Sequence, residues 1–310
     1  MRISRRQFLA GMGAAWSGAA AIPALARIGN IKIGVCSKCE NFPKIIQYGF
    51  DYLEPPVTQV AAMSQTEFEK FKGEVLASPI RCECFNIFIH TLRVVGDNVD
   101  AAALRNYMEP ALDRCRQLGA TIVVWGSGGS RNVPAGFSRE RAWKQIQAFL
   151  RLADDVARPK GIVIAIEPLR TQESNIINTG AEALKLVHEV NRPNIRMIID
   201  YYHMRVMRED PEIVWRARKD IVHFHFANPH GRLWPKSPAE DPEYGRFFEL
   251  VKKIHYRGGI SIEAHGSFDR DAEASLAFFR EELRPASRTG QPHRHQRLRQ
   301  PDEERQRLVQ

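Results

Sequence analysis

Cysteine is scarce in this chain, with five residues among 310. Cys36 and Cys39 form a Cys-x-x-Cys motif, but no second motif exists to complete a zinc site of four thiolates. A disulfide between them is left open, whereas Cys82, Cys84 and Cys115 are expected to be small buried residues in or beside strands. The odd number leaves at least one thiol outside any intramolecular disulfide.

Long hydrophobic runs are also lacking after residue 26, since no segment there approaches the ~20 apolar residues that cross a bilayer. The chain further lacks a phosphate-binding loop. The stretch GVCSKCENF after the first apolar run contains no glycine-rich turn, and WGSGGSRNVP (125–134) lacks the lysine and spacing of a P-loop. The second stretch could instead offer backbone N–H groups to a substrate oxygen, and its Arg131 could face a pocket.

A large positive net charge is lacking in the middle of the chain, although the whole chain carries a net charge of +9. The first 26 residues and the last 26 each contribute about +3, which leaves about +3 for the residues between them. A nucleic-acid-binding domain would carry a concentrated basic surface. The sequence therefore predicts no nucleic-acid partner.

The first 26 residues have the pattern of a twin-arginine signal peptide. SRRQFL (4–9) precedes an uncharged stretch rich in Gly and Ala, and Ala24-Leu25-Ala26 has the small residues of a cleavage site. The alternative, an uncleaved membrane anchor, is disfavoured because the stretch is short and weakly apolar. We therefore expect the twin-arginine export machinery as a partner and a periplasmic or secreted mature protein.

From residue 31 onward, eight apolar runs alternate with stretches of helical periodicity. The runs are 31–36, 50–54, 81–89, 121–126, 161–167, 195–200, 221–226 and 259–264, and the helices are expected at 41–48, 64–76, 100–118, 138–157, 179–190, 211–218, 243–255 and 271–283. This number and length predict an α/β fold, a (β/α)8 TIM barrel, as a single domain over 27–284. A doubly wound sheet would require a glycine-rich loop after its first strand. Residues 285–310, rich in Arg, Gln and Pro, are expected to form a disordered basic tail.

Polar side chains end four consecutive predicted strands. They are Glu167, Asp200, His225 and Glu263, and the C-terminal ends of barrel strands are where chemistry collects. Three carboxylates converging in a barrel mouth would repel one another, so a cation is expected among them. Separate salt bridges or helix N-caps are the structural alternative. The donor set suits one divalent ion, with Mn²⁺ as the first choice and Mg²⁺, Co²⁺ or Zn²⁺ as alternatives.

The second half of the chain resembles the sugar isomerase/epimerase group of the xylose isomerase-like TIM barrel superfamily. The resemblance is carried by IEPLRTQESNIINT, IIDYYHM, HFHFANPHGR and ISIEA, in order over residues 161–264. It is greatest to the ketose 3-epimerase pattern. The final strand departs from that pattern, because Ala264 follows Glu263 where proline is frequent.

The resemblance implies a role for each matching residue. Glu167, Asp200, His225 and Glu263 would bind the metal, with Glu167 and Glu263 also acting as the acid/base pair. The resemblance also implies that Glu173, His203 and Arg232 bind the substrate. Two further substrate-binding candidates are Glu54, which ends the second predicted strand, and His90, which follows the third. The expected partner is a small carbohydrate, and a homo-oligomer is left open.

One such site can support several reactions on a carbohydrate. Proton removal beside a carbonyl gives an enediolate, and return of the proton gives epimerisation or aldose–ketose isomerisation. Loss of a leaving group from the same enediolate would instead make the protein a lyase or hydratase of 3-keto-glycosides. A non-catalytic sugar-binding barrel and a phosphodiester-cleaving enzyme remain further alternatives, the latter disfavoured by the low charge. The leading hypothesis is a metal-dependent sugar isomerase/epimerase.

Overall fold

The computed structural model describes residues 31–284, and the predicted signal peptide and basic tail lie outside them. Within this range eight parallel strands form one sheet, in the order β2-β1-β8-β7-β6-β5-β4-β3. The strands are β1 (Lys32–Cys36), β2 (Tyr52–Glu54), β3 (Cys84–Phe85), β4 (Ile122–Trp125), β5 (Val163–Ile166), β6 (Ile195–Asp200), β7 (Ile221–Phe226) and β8 (Gly259–Ile262). Two isolated parallel bridges, Tyr52 with Arg81 and Pro56 with Asn86, join the β2 and β3 edges. The predicted (β/α)8 barrel is confirmed.

Helices alternate with the strands. The α-helices of the described range are α1 (Phe42–Tyr48), α2 (Val57–Ala62), α3 (Gln65–Ala77), α4 (Ala101–Leu118), α5 (Gly128–Arg131), α6 (Arg139–Ala157), α7 (Gly180–Val190), α8 (Tyr201–Val206), α9 (Ile213–Arg216), α10 (Tyr244–Lys253) and α11 (Phe268–Glu282). Several begin at a polar side chain that accepts a backbone N–H, such as Ser64, Ser138 and Thr179. Short helices α2, α5 and α8 were not predicted, because each has too few residues to show a period.

The third strand is much shorter than the predicted 81–89. Extended pairing ends early because Ile87 adopts a left-handed conformation with φ 46°, which is unusual for a β-branched residue. The fifth strand ends one residue earlier than predicted and the eighth ends two residues earlier. Glu167 and Glu263 therefore lie just beyond β5 and β8, although their backbone N–H groups still bond to Trp125 and Phe226 of the neighbouring strands.

The core has two parts. The larger lies between the strands and the surrounding helices. A smaller apolar cluster fills the barrel interior and comprises Tyr52, Cys84, Val124, Ala165 and Ile198. All five cysteines are free thiols in the described chain. No helix within residues 31–284 is both long and apolar enough to span a bilayer.

The Tyr52 ring crosses the barrel interior above Gly34 of β1. A methyl group added at Gly34 would overlap this ring, whereas one added at Gly73, on an exposed face of α3, would meet open space. We expect Gly34→Ala to overpack the interior and lower the free energy of unfolding by about 1–3 kcal/mol. Gly73→Ala, the matched control, should raise it by about 0.5–1 kcal/mol through helix propensity. Thermal unfolding of both variants checks this, and a Gly34→Ala protein as stable as the parent would contradict it.

Candidate active site at the carboxyl ends of the strands

The four predicted ligands converge at the carboxyl ends of β5 to β8. One donor atom from each of Glu167, Asp200, His225 and Glu263 lies within 4.8 Å of the others. Their centre is His225, whose Nδ1 is 3.0 Å from Glu167 Oε1 and 3.1 Å from Glu263 Oε2. Asp200 and His225 are register partners on β6 and β7. The strand-end pattern thus brings together one imidazole and three carboxylates.

The two carboxylate oxygens of Asp200 have different surroundings. Its Oδ1 caps α8 by accepting from the backbone N–H groups of Tyr202 (2.7 Å) and His203 (3.4 Å). Its Oδ2 is buried and accepts no hydrogen bond from any residue in 31–284. A buried carboxylate oxygen without a donor is costly, so it marks a place where a cation would be stabilised.

The donor set fits one divalent cation. Ligands about 2.0–2.6 Å from an ion lie within about 5 Å of each other, as these atoms do. Carboxylate oxygens with one imidazole suit Mn²⁺, Mg²⁺, Co²⁺ or Zn²⁺. A cation would also relieve the repulsion among the three carboxylates, two of which are buried and one of which, Glu263, is partly exposed.

The same electrostatics shift the pKa values of the ligands. Burial raises the pKa of Glu167 above its usual value, and it raises the pKa of Asp200 to about 6 even against the charge of Arg232. Burial acts upward on Glu263 too, but Arg232 and His225 outweigh it and lower its pKa to about 2. For His225 burial acts downward, yet the neighbouring carboxylates, Glu54 foremost, hold its pKa well above the ordinary value.

Three predicted substrate-binding residues lie beside the ligands. Arg232 places Nη2 2.8 Å from Glu263 Oε2 and Nη1 3.3 Å from Glu173 Oε1. His203 Nδ1 accepts the backbone N–H of Arg170 at 3.2 Å, so a proton sits on Nε2. This Nε2 lies 3.5 Å from Asp200 Oδ2 and 3.8 Å from Glu173 Oε2 without a hydrogen bond inside the described range. These groups offer donors and an acceptor to a polar ligand.

The loop that presents Arg232 has an unusual backbone. Gly231 and Arg232 both have positive φ, 84° and 55°. The turn lets Leu233 bridge to Asn228, and the Arg232 carbonyl accepts from His265 N–H at 2.7 Å. A non-glycine residue held in this conformation is typical of a functional position.

Glu54 and His90 lie elsewhere. Glu54 is fully buried below the four ligands, and both its oxygens are engaged by protein groups: His225 Nε2, His223 Nε2 and the Ser261 hydroxyl. In this conformation it offers no oxygen to a substrate. His90 is exposed and lines a separate cavity of about 550 Å³ between α2, α4 and the loop after β3, none of whose lining residues is a predicted ligand. The substrate-binding role of both residues stays a prediction without support from their placement.

Arg131 does not face the pocket, contrary to the suggestion from sequence. Its guanidinium is fully buried and donates to the carbonyl oxygens of Trp125 (3.0 Å) and Glu167 (2.7 Å). It also lies over the Trp125 ring. Arg131 therefore ties the end of β4 to the end of β5 and fixes the backbone of Glu167.

Three residues near the site were missed by sequence reasoning. Arg170 donates to Glu173 Oε1 at 2.7 Å, and the guanidinium groups of Arg170 and Arg232 both lie about 5 Å from the Tyr202 ring. Gly126 leaves room for the carboxylate of Glu167, because a methyl group at position 126 would overlap Glu167 Oε2. The available signal was the position of Gly126 directly after β4, at the rim that carries the site.

The model of the xylose isomerase-like TIM barrel family matches residues 42–282. Among curated proteins, the chain is 34% identical to L-ribulose 3-epimerase of Methylomonas sp. (strain DH-1), over 48% of this chain and 54% of that protein. It is 27% identical to 3-dehydro-D-guloside 4-epimerase of Escherichia coli (strain K12), over 60% of this chain and 74% of that protein. The first of these matches spans about half the length of the relative.

A solved structure has the same fold. The apo form of 3-keto-D-glucoside 4-epimerase from E. coli superposes with a TM-score of 0.69 at 22% identity, over 81% of this chain and 99% of that one. All three of these proteins are named as sugar epimerases. The barrel architecture is thus shared with enzymes that act on carbohydrates.

The contact of Gly126 with Glu167 predicts the effect of a single methyl group. Gly126→Ala should displace the Glu167 carboxylate and weaken divalent-cation binding on the order of tenfold or more, as loss of a residue that orients a ligand does. Gly129→Ala, three residues later in α5, where an added methyl group meets open space, is the matched control. Calorimetric titration with Mn²⁺ checks this, and equal affinity in the two variants would contradict it.

The high pKa of His225 predicts that cation binding releases protons. Because the pKa is raised, we expect the imidazole without a cation to carry a proton on both nitrogens near pH 7, and a bound cation would displace the proton on Nδ1. Affinity for Mn²⁺ should therefore rise with pH between about 5 and 8. Titrations at pH 7 in buffers of different ionisation enthalpy should give a release of about one proton per ion. His188→Gln, at an exposed histidine paired with Asp220, should leave that number unchanged, and heats independent of the buffer would disprove the release.

Proposed function

Because the chain belongs to the xylose isomerase-like TIM barrel family, we propose that it is a divalent-metal-dependent sugar epimerase or isomerase. The observation that carries the proposal is the convergence of Glu167, Asp200, His225 and Glu263 within 4.8 Å. A sugar as the substrate is supported by the names of two relatives, L-ribulose 3-epimerase and 3-dehydro-D-guloside 4-epimerase. The chemistry is proton removal from a carbon next to a carbonyl.

Two of the four metal ligands have a second task in this proposal. Mn²⁺ is the proposed ion, and its contribution when bound is to polarise the sugar carbonyl as a Lewis acid. Glu167 and Glu263 face each other across His225 Nδ1, which suits them to remove a proton and to return one. Asp200 completes the negative charge that holds the ion.

The substrate is held by Glu173, His203 and Arg232. His203 Nε2 and the Arg232 guanidinium are donors suited to oxygens that gain charge as the proton leaves. Glu173 is an acceptor for a hydroxyl group, and its bonds to Arg170 and Arg232 fix its position.

A keto-glycoside is the alternative substrate, with a lyase or hydratase reaction as the alternative outcome. One relative is named for a 3-dehydro-glycoside, which supports keto-glycosides as a substrate class. Export by the twin-arginine machinery to the periplasm, proposed from the first 26 residues, is compatible with breakdown of glycosides outside the cytoplasm. The same enediolate would lose its leaving group in place of regaining a proton.

If Glu167 and Glu263 are the acid/base pair, replacing either one should slow the conversion of the substrate. We expect Mn²⁺-loaded protein to exchange one C–H of its substrate with solvent in heavy water. Glu167→Gln and Glu263→Gln should each lower the rate of conversion at least 10²–10⁴-fold, the range for loss of an acid or base, while far-UV circular dichroism stays unchanged. A panel of free sugars and 3-keto-glycosides, followed by NMR, checks both the exchange and the products.

Each result of this panel separates the alternatives. An epimerised or isomerised sugar supports the leading proposal, and a released aglycone supports a lyase. Full turnover by either variant would overturn the assignment of the acid/base pair. Sugar binding without exchange at any carbon, in the Mn²⁺-loaded parent protein, would favour a non-catalytic barrel. Arg192→Gln, at a partly exposed residue outside the site, is the control for activity lost during purification.

A further inference from the structure

A second polar group lies in the barrel interior, below the four ligands, and the proposed reaction does not use it. It consists of Tyr52, Glu54, His223 and Ser261, which we call the polar column. Each member is at most 2% exposed. A polar group of this kind in the interior of a barrel needs a reason, because burying it is costly unless every member is satisfied.

We infer that Glu54 is a positioning residue: it holds Nε2 of His225 so that Nδ1 of the same ring faces the cation site. The inference rests on the proposed function only because it assumes that the four ligands bind a cation. Glu54 would act through His225 and would touch neither the ion nor the sugar.

The two nitrogens of His225 face different groups. Nε2 is 2.8 Å from Glu54 Oε1, below the site, and Nδ1 is 3.0 Å from Glu167 Oε1, inside it. A neutral imidazole has one N–H and one lone pair. When Nε2–H donates to Glu54, the lone pair on Nδ1 is left for the cation. A carboxylate that accepts from the other nitrogen in this way fixes the tautomer and the ring orientation of a ligand.

The remaining members hold Glu54 in place. The Ser261 hydroxyl donates to Glu54 Oε2 at 2.5 Å, and His223 Nε2 lies 2.9 Å from the same oxygen. Since the Ser261 proton goes to Glu54, the Ser261 oxygen accepts from the Tyr52 hydroxyl at 2.8 Å. The donors therefore all point along the column toward one carboxylate. Glu54 has no freedom to rotate away from His225 without leaving buried donors unsatisfied.

Glu54, His223 and His225 could in principle hold a second ion, since their donor atoms also lie within 4.8 Å. The hydrogen bonds favour the positioning role. Both Glu54 oxygens have donors, and none of the column's polar atoms is among the buried atoms without a partner in the described range. By contrast, Asp200 Oδ2 at the cation site is among them. Glu263 Oε2 also makes no hydrogen bond in this range, although it forms an ion pair with Arg232. The carboxylate oxygens that a cation could still satisfy therefore belong to the site formed by the four ligands.

The test is cation binding in the absence of sugar. The full chain is titrated with Mn²⁺, and affinity and stoichiometry are measured by calorimetry and by the electron paramagnetic resonance of the free ion. We expect one ion per chain. Glu54→Leu should weaken binding about 10–100-fold, and Glu54→Gln, which keeps an oxygen for His225, should recover part of the loss.

Tyr256→Phe is the matched control. It removes a hydroxyl that donates to the carbonyl oxygens of Val222 and Gly259 at 3.0 and 2.9 Å, beside β7 and β8 but away from His225. It should lower the melting temperature without changing the affinity for Mn²⁺. Ser261→Ala, which deletes only a hydroxyl, replaces Glu54→Leu if that variant does not fold, and it should weaken binding severalfold.

Three outcomes would overturn the inference or its premise. Parental affinity in a folded Glu54→Leu protein, or in Ser261→Ala when it replaces that variant, would overturn the positioning role. Two ions in the parent protein, with one lost in Glu54→Leu, would make Glu54 a ligand. Failure of the parent to bind any divalent cation would instead overturn the proposed function, so the two failures are distinguishable.

Discussion

Repulsion among buried carboxylates is the constraint on which the rest of this site depends. Glu167, Asp200 and Glu263 cannot all be ionised in a mouth of low dielectric constant unless positive charge lies among them. The fold supplies part of it through His225 and Arg232. Asp200 Oδ2, which accepts no hydrogen bond in the described range, marks where that compensation stops, and a cation would complete it. The strands and loops around the site thus hold three negatively charged side chains close together.

The barrel and its ligands follow from local patterns in the sequence. Eight apolar runs with intervening helical periods are sufficient to predict the topology, because parallel strands with helical connections close in few ways. The strand ends are sufficient to predict Glu167, Asp200 and His225 at one rim, because side chains alternate along a strand. No property of distant residues enters either prediction.

The contacts between strands were not predictable in the same way. Glu54 was expected at the rim, since it ends its strand, yet Ser261 and His223 hold it below, and these come from β8 and β7. Arg131 was placed near the pocket because it lies in a rim loop, but its donors are used by the Trp125 and Glu167 carbonyl oxygens. In both cases the outcome depends on pairing across more than thirty residues of sequence. Helix α8 has only six residues and no helical period in the sequence, and its beginning depends on the cap that Asp200 supplies.

The double use of Asp200 links the fold mechanically to the chemistry. The oxygen that caps α8 and the oxygen that faces the site belong to one rigid carboxylate, so a rotation that improves one contact disturbs the other. Helix α8 also carries His203, which would touch the sugar. Under the proposed function, binding of the ion and the position of the helix that carries His203 would therefore be coupled through the Asp200 carboxylate.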